Sequence, residues 1–202
     1  MKPTRATPKP YHHGDLRRAL IEASRRILET EGIAALSLRA VAREAGVSPA
    51  APYHHFRDRT ELLSEVAQEG TAELLESLKK ARAENKPGRE RMIAVGAAYV
   101  GYGLHNPALY RLMFETIRVL ETGPLPVDVH ESIPGILVDA FAEAMPTDVS
   151  PTDRRLAGIA GWAALRGLTD ILRYRQLDPL KAELGGDEGF IRAVLEHLSF
   201  GR

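Results

Sequence analysis

Apolar residues recur along this chain three and four positions apart, the spacing that lines one face of a helix. Leu16, Ala19, Leu20, Ala23 and Ile27 mark a first helix over about residues 15–30, and Gly32 stops it. Leu38, Val41, Ala42 and Ala45 mark a second, short helix. Ser37 stands where its hydroxyl can accept an orphan backbone N–H, and Gly46 where the exit needs a left-handed backbone. Val47 plugs the turn, Ser48 recaps the chain, and Pro49 occupies a first helical position where its missing N–H costs nothing. Residues 37–56 therefore read as two short helices joined by a tight turn, a helix-turn-helix, with Phe56 as the apolar foot of the second. Asp58 and Glu61 form a capping-box pattern at the head of a long helix over 59–84. Leu63, Ala67, Gly70, Leu74, Leu78 and Ala81 keep its stripe for roughly 40 Å at 1.5 Å per residue.

Beyond the break at 85–88, helices are expected over 89–104, 107–120, 129–144, 150–175 and 187–200, with Pro134-Gly135 able to kink the third of these. The fold class is all-α. An N-terminal three-helix domain covers 14–74, and a C-terminal helical bundle covers 75–202. The last two helices are too apolar to have one buried side. Leu156, Ile159 and Ala163 on one, and Phe190, Ile191, Val194, Leu195 and Leu198 on the other, are expected to form a two-fold four-helix interface with a second copy. Burial inside a monomer core is the alternative for the same residues.

The chemistry of residues 49–56 is unusual for a surface helix, where Glu, Lys and Gln are common. Small Ala50 and Ala51 lead, and Tyr53, His54 and His55 follow. That order suits insertion into a DNA major groove, where N-terminal residues meet base edges and later ones meet phosphates. A small helical corner with a Tyr-His-His surface is the competing reading. Arg59, a cation at a helix N-terminus, opposes the helix dipole, and a docked phosphate would account for it.

Residues 14–74 resemble the DNA-binding domain of the TetR family of transcriptional regulators. The matching pieces are Gly32, Leu38-Arg39-Ala40-Val41-Ala42, Ala45-Gly46-Val47-Ser48, Tyr53-His54-His55-Phe56 and Arg59-Thr60-Glu61-Leu62-Leu63. The resemblance implies a homodimer with a DNA-binding N-terminal domain and a C-terminal domain that dimerises and binds a small-molecule effector. Ser37, Tyr53, His55 and Arg59 are then expected on the DNA backbone, Arg39, Ala50, Ala51 and His54 at base edges, and Ser48 among the DNA-binding residues. Pro52 departs from the commoner aliphatic residue there and is expected to tilt the second helix of the pair. A finer similarity, carried by Tyr11-His12-His13-Gly14-Asp15-Leu16, Ala51-Pro52-Tyr53 and Trp162…Gly167, is to a TetR subgroup with a Trp-x-x-x-His-Gly signature. Arg166 replaces that histidine, so no role of the histidine carries over.

Net charge is zero but unevenly placed, with +5 over residues 1–60 and −5 over 61–202. A basic front on an acidic body suits a polyanionic partner, here a double-stranded DNA operator. Residues 1–13 hold three prolines and no acid, the composition of a disordered basic arm. The effector is unspecified. Its candidate contacts are Tyr99, Tyr102, His105, Tyr110, Met113, Phe114, Trp162 and Arg166, an apolar set with a few polar handles. The chain has no cysteine, no glycine-rich phosphate loop after a strand and no metal-spaced histidines. No enzyme activity, cofactor or metal is expected. With no long apolar run or leader, no membrane association is expected either, and the location is read as cytoplasmic. The function expected is a ligand-responsive repressor acting on a near-palindromic operator. An effector-independent activator or architectural dimer, or a sensor acting through protein contacts, is the alternative.

Overall fold

The computed structural model describes residues 13–120 and 131–198, with side chains from residue 16 and not those of 115–120. The basic arm (1–13), the loop at 123–126 and the start of the helix expected from 129 fall outside the described side chains or residues. The described elements are helical: α1 (His13–Glu31), α2 (Leu38–Glu44), α3 (Arg59–Glu84), α4 (Arg89–His105), α5 (Pro107–Leu120), α6 (Ile133–Glu143), α7 (Pro151–Ile171), α8 (Asp178–Glu183) and α9 (Asp187–His197). Short 3-10 turns occupy Ile33–Ala35, Ala51–His54 and Arg175–Leu177. The chain divides into two compact units between Ala67 and Gln68, inside α3 and ahead of the residue-74 boundary read from sequence.

In the first unit, Leu20, Ile27 and Leu28 of α1, Val41 and Ala42 of α2, and Leu62 and Val66 of α3 share a core with Phe56. Gly46, at φ +68°, lets α2 close as a Schellman motif: Val47 N–H donates to Ala42 O at 3.0 Å and Gly46 N–H to Arg43 O at 3.2 Å. An ion pair from Arg26 to Glu44 at 2.7 Å ties α1 to the end of α2.

The second unit is built around α4, α6 and α7. Pro134 does not kink its helix. It lies in the first turn of α6 behind Ser132, whose hydroxyl accepts the Gly135 N–H at 3.1 Å. α7 packs on α6 through glycines. A Cβ at Gly161 would lie 2.3 Å from the Phe141 ring, and one at Gly158 would lie 2.6 Å from Val138 O. α7 ends at Ile171, earlier than the 150–175 pattern suggested, and α8 is a short helix the apolar spacing did not mark. α9 lies against α4, where a Cβ at Gly96 would meet Leu195 at 3.0 Å.

Gly161→Ala should force the Phe141 ring aside and lower stability by about 1–3 kcal/mol, the usual cost of overpacking. Urea unfolding with unchanged m-value measures it, and an unshifted midpoint would show that α6 and α7 part freely.

Candidate functional site

Ser37 and the Schellman turn fix both ends of α2. The Ser37 hydroxyl accepts the Ala40 N–H at 3.1 Å and keeps its own proton to donate outward. Arg39, one position into the helix, is exposed. The second member of the motif is shorter than the 49–56 helix expected. Its only regular part is the 3-10 turn Ala51–His54. Ala51 N–H donates to Ser48 O, Tyr53 N–H to Ala50 O and His55 N–H to Pro52 O, each three residues back. Pro52 is the cause. It has no N–H to reach Ser48 O, and its ring disfavours α geometry at Ala51. Ser48 consequently does not cap by its side chain, and Ala50 stands at the N-cap without a side-chain bond.

Burial sorts this turn sharply. Pro52 and Phe56 face the core, whereas Ser48, Ala50, Tyr53 and His54 are exposed, Tyr53 by 54%. Ala51 and His55 are half-buried, and the His55 ring packs 6.4 Å from that of Phe56. Arg39, Ser48, Ala50, Tyr53 and His54 thus remain accessible.

Arg59 requires correction. Its Nε–H donates to Leu36 O at 2.7 Å and its Nη2 to Ile33 O at 2.6 Å. The guanidinium holds two carbonyls of the turn at 33–36, Ile33 O already accepting the Leu36 N–H at 3.3 Å, and this structural work accounts for a cation at the α3 N-terminus. Asp58 Oδ1 accepts the Glu61 N–H at 2.9 Å, and Glu61 Oε2 accepts the Arg57 N–H at 2.7 Å. These are the two halves of the capping pattern, with the return bond one residue earlier than usual. The Arg57 N–H, then its side chain, hold the Glu61 carboxyl below the ordinary glutamate range. The bond therefore supports the folded state above that range and is lost as pH falls through the lowered value.

In the second unit the expected effector residues separate into two groups. Tyr99, Tyr110, Phe114, Trp162 and Arg166 come together. The Tyr99 and Tyr110 hydroxyls share a hydrogen bond of 2.8 Å, and the Tyr110 and Phe114 rings lie 4.7 Å apart. Arg166 Cζ sits 3.8 Å over the Phe114 ring and 4.9 Å over that of Tyr110. Burial pushes both tyrosine hydroxyls above the usual phenol range, that of Tyr110 far above it. Met113 is buried beside Gly70, part of the core beneath this cluster. Tyr102 and His105 are not in it. The Tyr102 hydroxyl lies 3.0 Å from Gly70 O and 3.1 Å from Glu73, and His105 is exposed with its ring on Gly101 O. The Tyr102 hydroxyl is taken by α3 and the His105 ring by its own helix, which helical spacing alone did not reveal.

A sequence profile described as bacterial regulatory proteins, tetR family, matches residues 20–66. A second, described as a tetracyclin repressor-like C-terminal domain, matches residues 92–196, just over half the chain. The chain belongs to the TetR family. Among solved structures, a protein of unknown function from Rhodococcus sp. RHA1 is 32% identical, with a TM-score of 0.73 over 95% of this chain and 97% of that one. A tetR-family regulatory protein from Rhodococcus RHA1 is 20% identical, with a TM-score of 0.67 over 91% and 94%, and supports the fold alone. An HTH-type transcriptional regulator of Mycobacterium tuberculosis is 29% identical over 139 residues, which span 68% of this chain and 58% of that regulator.

Within this TetR chain the expected dimer residues also divide. Leu156 and Ile159 are 57% and 52% exposed, and Ala163 is exposed with them. Phe190, Ile191 and Leu195 are buried in the subunit's own core, which corrects their assignment to an interface. Val194 and Leu198 are half-buried. α9 carries a single apolar stripe, and α4 already covers it. The expected interface set left out Gly167 and Ile171, which continue the exposed α7 side at the same spacing, and Tyr174, exposed just past the helix end. It also missed Leu180 and Leu184, exposed around α8. Position relative to the glycine face of α7 was the available signal.

Arg59→Ala should lower the melting temperature of the isolated transition of the first unit, by loss of about 1 kcal/mol per hydrogen bond removed. Arg59→Lys should recover little, since an ammonium cannot reach both carbonyls as a fork. Scanning calorimetry measures both. A wild-type melting profile for Arg59→Ala would return the residue to the phosphate contacts.

Proposed function

We propose that this TetR-family chain is a ligand-responsive transcriptional repressor that binds double-stranded DNA as a homodimer. The observation that carries the DNA half is the sorting of residues 37–56. Arg39, Tyr53 and His54 face outward from elements held by buried Val41, Pro52 and Phe56. A guanidinium, a phenol and an imidazole on a rigid turn supply donors to phosphates and base edges, and Ala50 supplies an apolar contact for a thymine methyl. Ser37 donates its free hydroxyl proton to a phosphate, Ser48 and His55 flank the contact, and Ala51 packs behind Ala50.

The homodimer, typical of the family, rests on α7. Leu156, Ile159, Ala160, Ala163, Gly167 and Ile171 make an exposed apolar side free of charged groups at those positions. A two-fold axis against that side pairs each residue with its symmetry mate or near neighbour. Two recognition turns then address half-sites one helical turn apart, roughly 34–36 Å, on a near-palindromic operator. The effector acts by binding one conformer better than the other, and α3, which contributes to both units, connects the two by a continuous backbone. The cytoplasm, where a bacterial operator lies, is the compartment this function requires. No helix among the described residues is long and apolar enough to cross a membrane.

Selection of genomic fragments by the purified protein across a salt series tests the DNA half. One enriched inverted repeat, with affinity falling steeply in salt, is expected. Enrichment of no sequence would defeat specific recognition. For the dimer, Ile159→Glu should give a folded monomer in sedimentation velocity and weaken operator binding at least tenfold. A dimer that persists would move the interface off α7.

A further inference from the structure

The aromatic cluster of the second unit holds a buried donor that is poorly matched and an arginine at the edge of a recess. Trp162 Nε1 is buried and makes no well-formed hydrogen bond, although the Tyr99 hydroxyl oxygen lies beside it. The two hydroxyls of Tyr99 and Tyr110 carry two protons, and their mutual bond uses one. Thr169 spends its own proton on Leu165 O at 2.8 Å. Arg166 brings five more N–H groups, and its nearest described carboxylate, on Asp170, stands at 3.8 Å with 64% of that side chain exposed. A buried donor without a well-formed bond costs about 1–3 kcal/mol, so Trp162 Nε1 gains from an acceptor brought within its reach.

The shape agrees with the count. Arg166 lies over the Phe114 ring, and a guanidinium stacked on its face, with Asp170 at 3.8 Å from Nε and Tyr99 beside it, has N–H groups to spare for a planar acceptor. Beside it opens a recess of about 50 Å³ lined in part by Tyr110, Arg111, Arg166, Thr169, Asp170 and Arg173. Three guanidinium groups against one carboxylate give the recess a positive balance. Its volume suits the anionic head of a ligand, and the neighbouring rings offer the apolar body a wall.

We propose that this cluster is the effector site and that it takes a small organic carboxylate, held by Arg166 with Trp162 Nε1 as a second donor and its apolar body against the aromatic rings. The assignment deepens the ligand-responsive reading above and rests on it. Arg111 and Arg173 act at the rim by attraction.

Benzoate is the probe, and benzamide, of the same shape but uncharged, is its control. Titration calorimetry and thermal shift on the full-length protein without DNA should show benzoate binding and a concentration-dependent rise in melting temperature. Benzamide and inorganic phosphate should show neither. Arg166→Gln should weaken benzoate binding at least tenfold, and Arg166→Lys should restore part of it. Trp162→Phe, which keeps the ring and removes the donor, should weaken binding by about tenfold, the effect of one hydrogen bond to a charged group. Equal shifts by benzoate and benzamide, no benzoate binding to the wild-type protein, or undiminished affinity in a folded Arg166→Gln protein would each overturn the proposal. Operator release by benzoate is measured separately, so that binding without release would count against ligand-gated repression and leave the carboxylate site standing.

Discussion

Two glycines on α7 decide the second unit. Without side chains at Gly158 and Gly161, the α7 backbone settles directly onto Val138 and Phe141 of α6. That contact fixes the rotation of α7 about its axis, and the rotation assigns every other side. Leu165, Leu168 and Leu172 turn inward with the glycines. Trp162 and Arg166, one turn apart, come to the tyrosines of α4 and α5. Leu156, Ile159 and Ala163 are left to solvent. An apolar helix has no intrinsic preference among its sides. The smallest residues choose the closest neighbour, because close approach gains the most dispersion contact.

In the first unit a missing donor has a comparable effect. Pro52 removes one N–H from the middle of the recognition segment, and the chain answers with bonds to the third residue back instead of the fourth. The turn that results is tight but not loose, since Pro52 and Phe56 anchor it in the core. The DNA-facing surface is consequently compact. Arg39 on α2 and Tyr53 on the turn provide its reach, where a longer helix would have supplied more positions. Arg59 stiffens the same region from behind by holding the carbonyls that precede α2.

Both units place polar side chains where the interior gives them incomplete partners, and the consequences differ with exposure. At the turn of 51–54, solvent reaches the exposed Tyr53 and His54. Around Arg166, aromatic rings exclude much of that solvent, so cation–π contact substitutes for hydration. Stacking stabilises the charge through its face, and Asp170 lies 3.8 Å from its Nε edge.

Much was settled by the sequence alone. Periodicity with Gly and Pro punctuation located α3 and the start of α5 to the residue, because caps and breakers are local signals that act within one turn. The motif residues of 37–56 and the family itself were legible for the same reason. Tertiary structure decided what local signals cannot carry. It turned Arg59 from an expected phosphate contact into a tie to Ile33 and Leu36, more than twenty residues earlier in the chain. It buried Phe190, Ile191 and Leu195 in the subunit, and it parted Tyr102 and His105 from the aromatic cluster. Helical spacing says which residues share a side of a helix. Which neighbour that side meets depends on how all the helices divide a limited interior, and that competition is settled only when they pack.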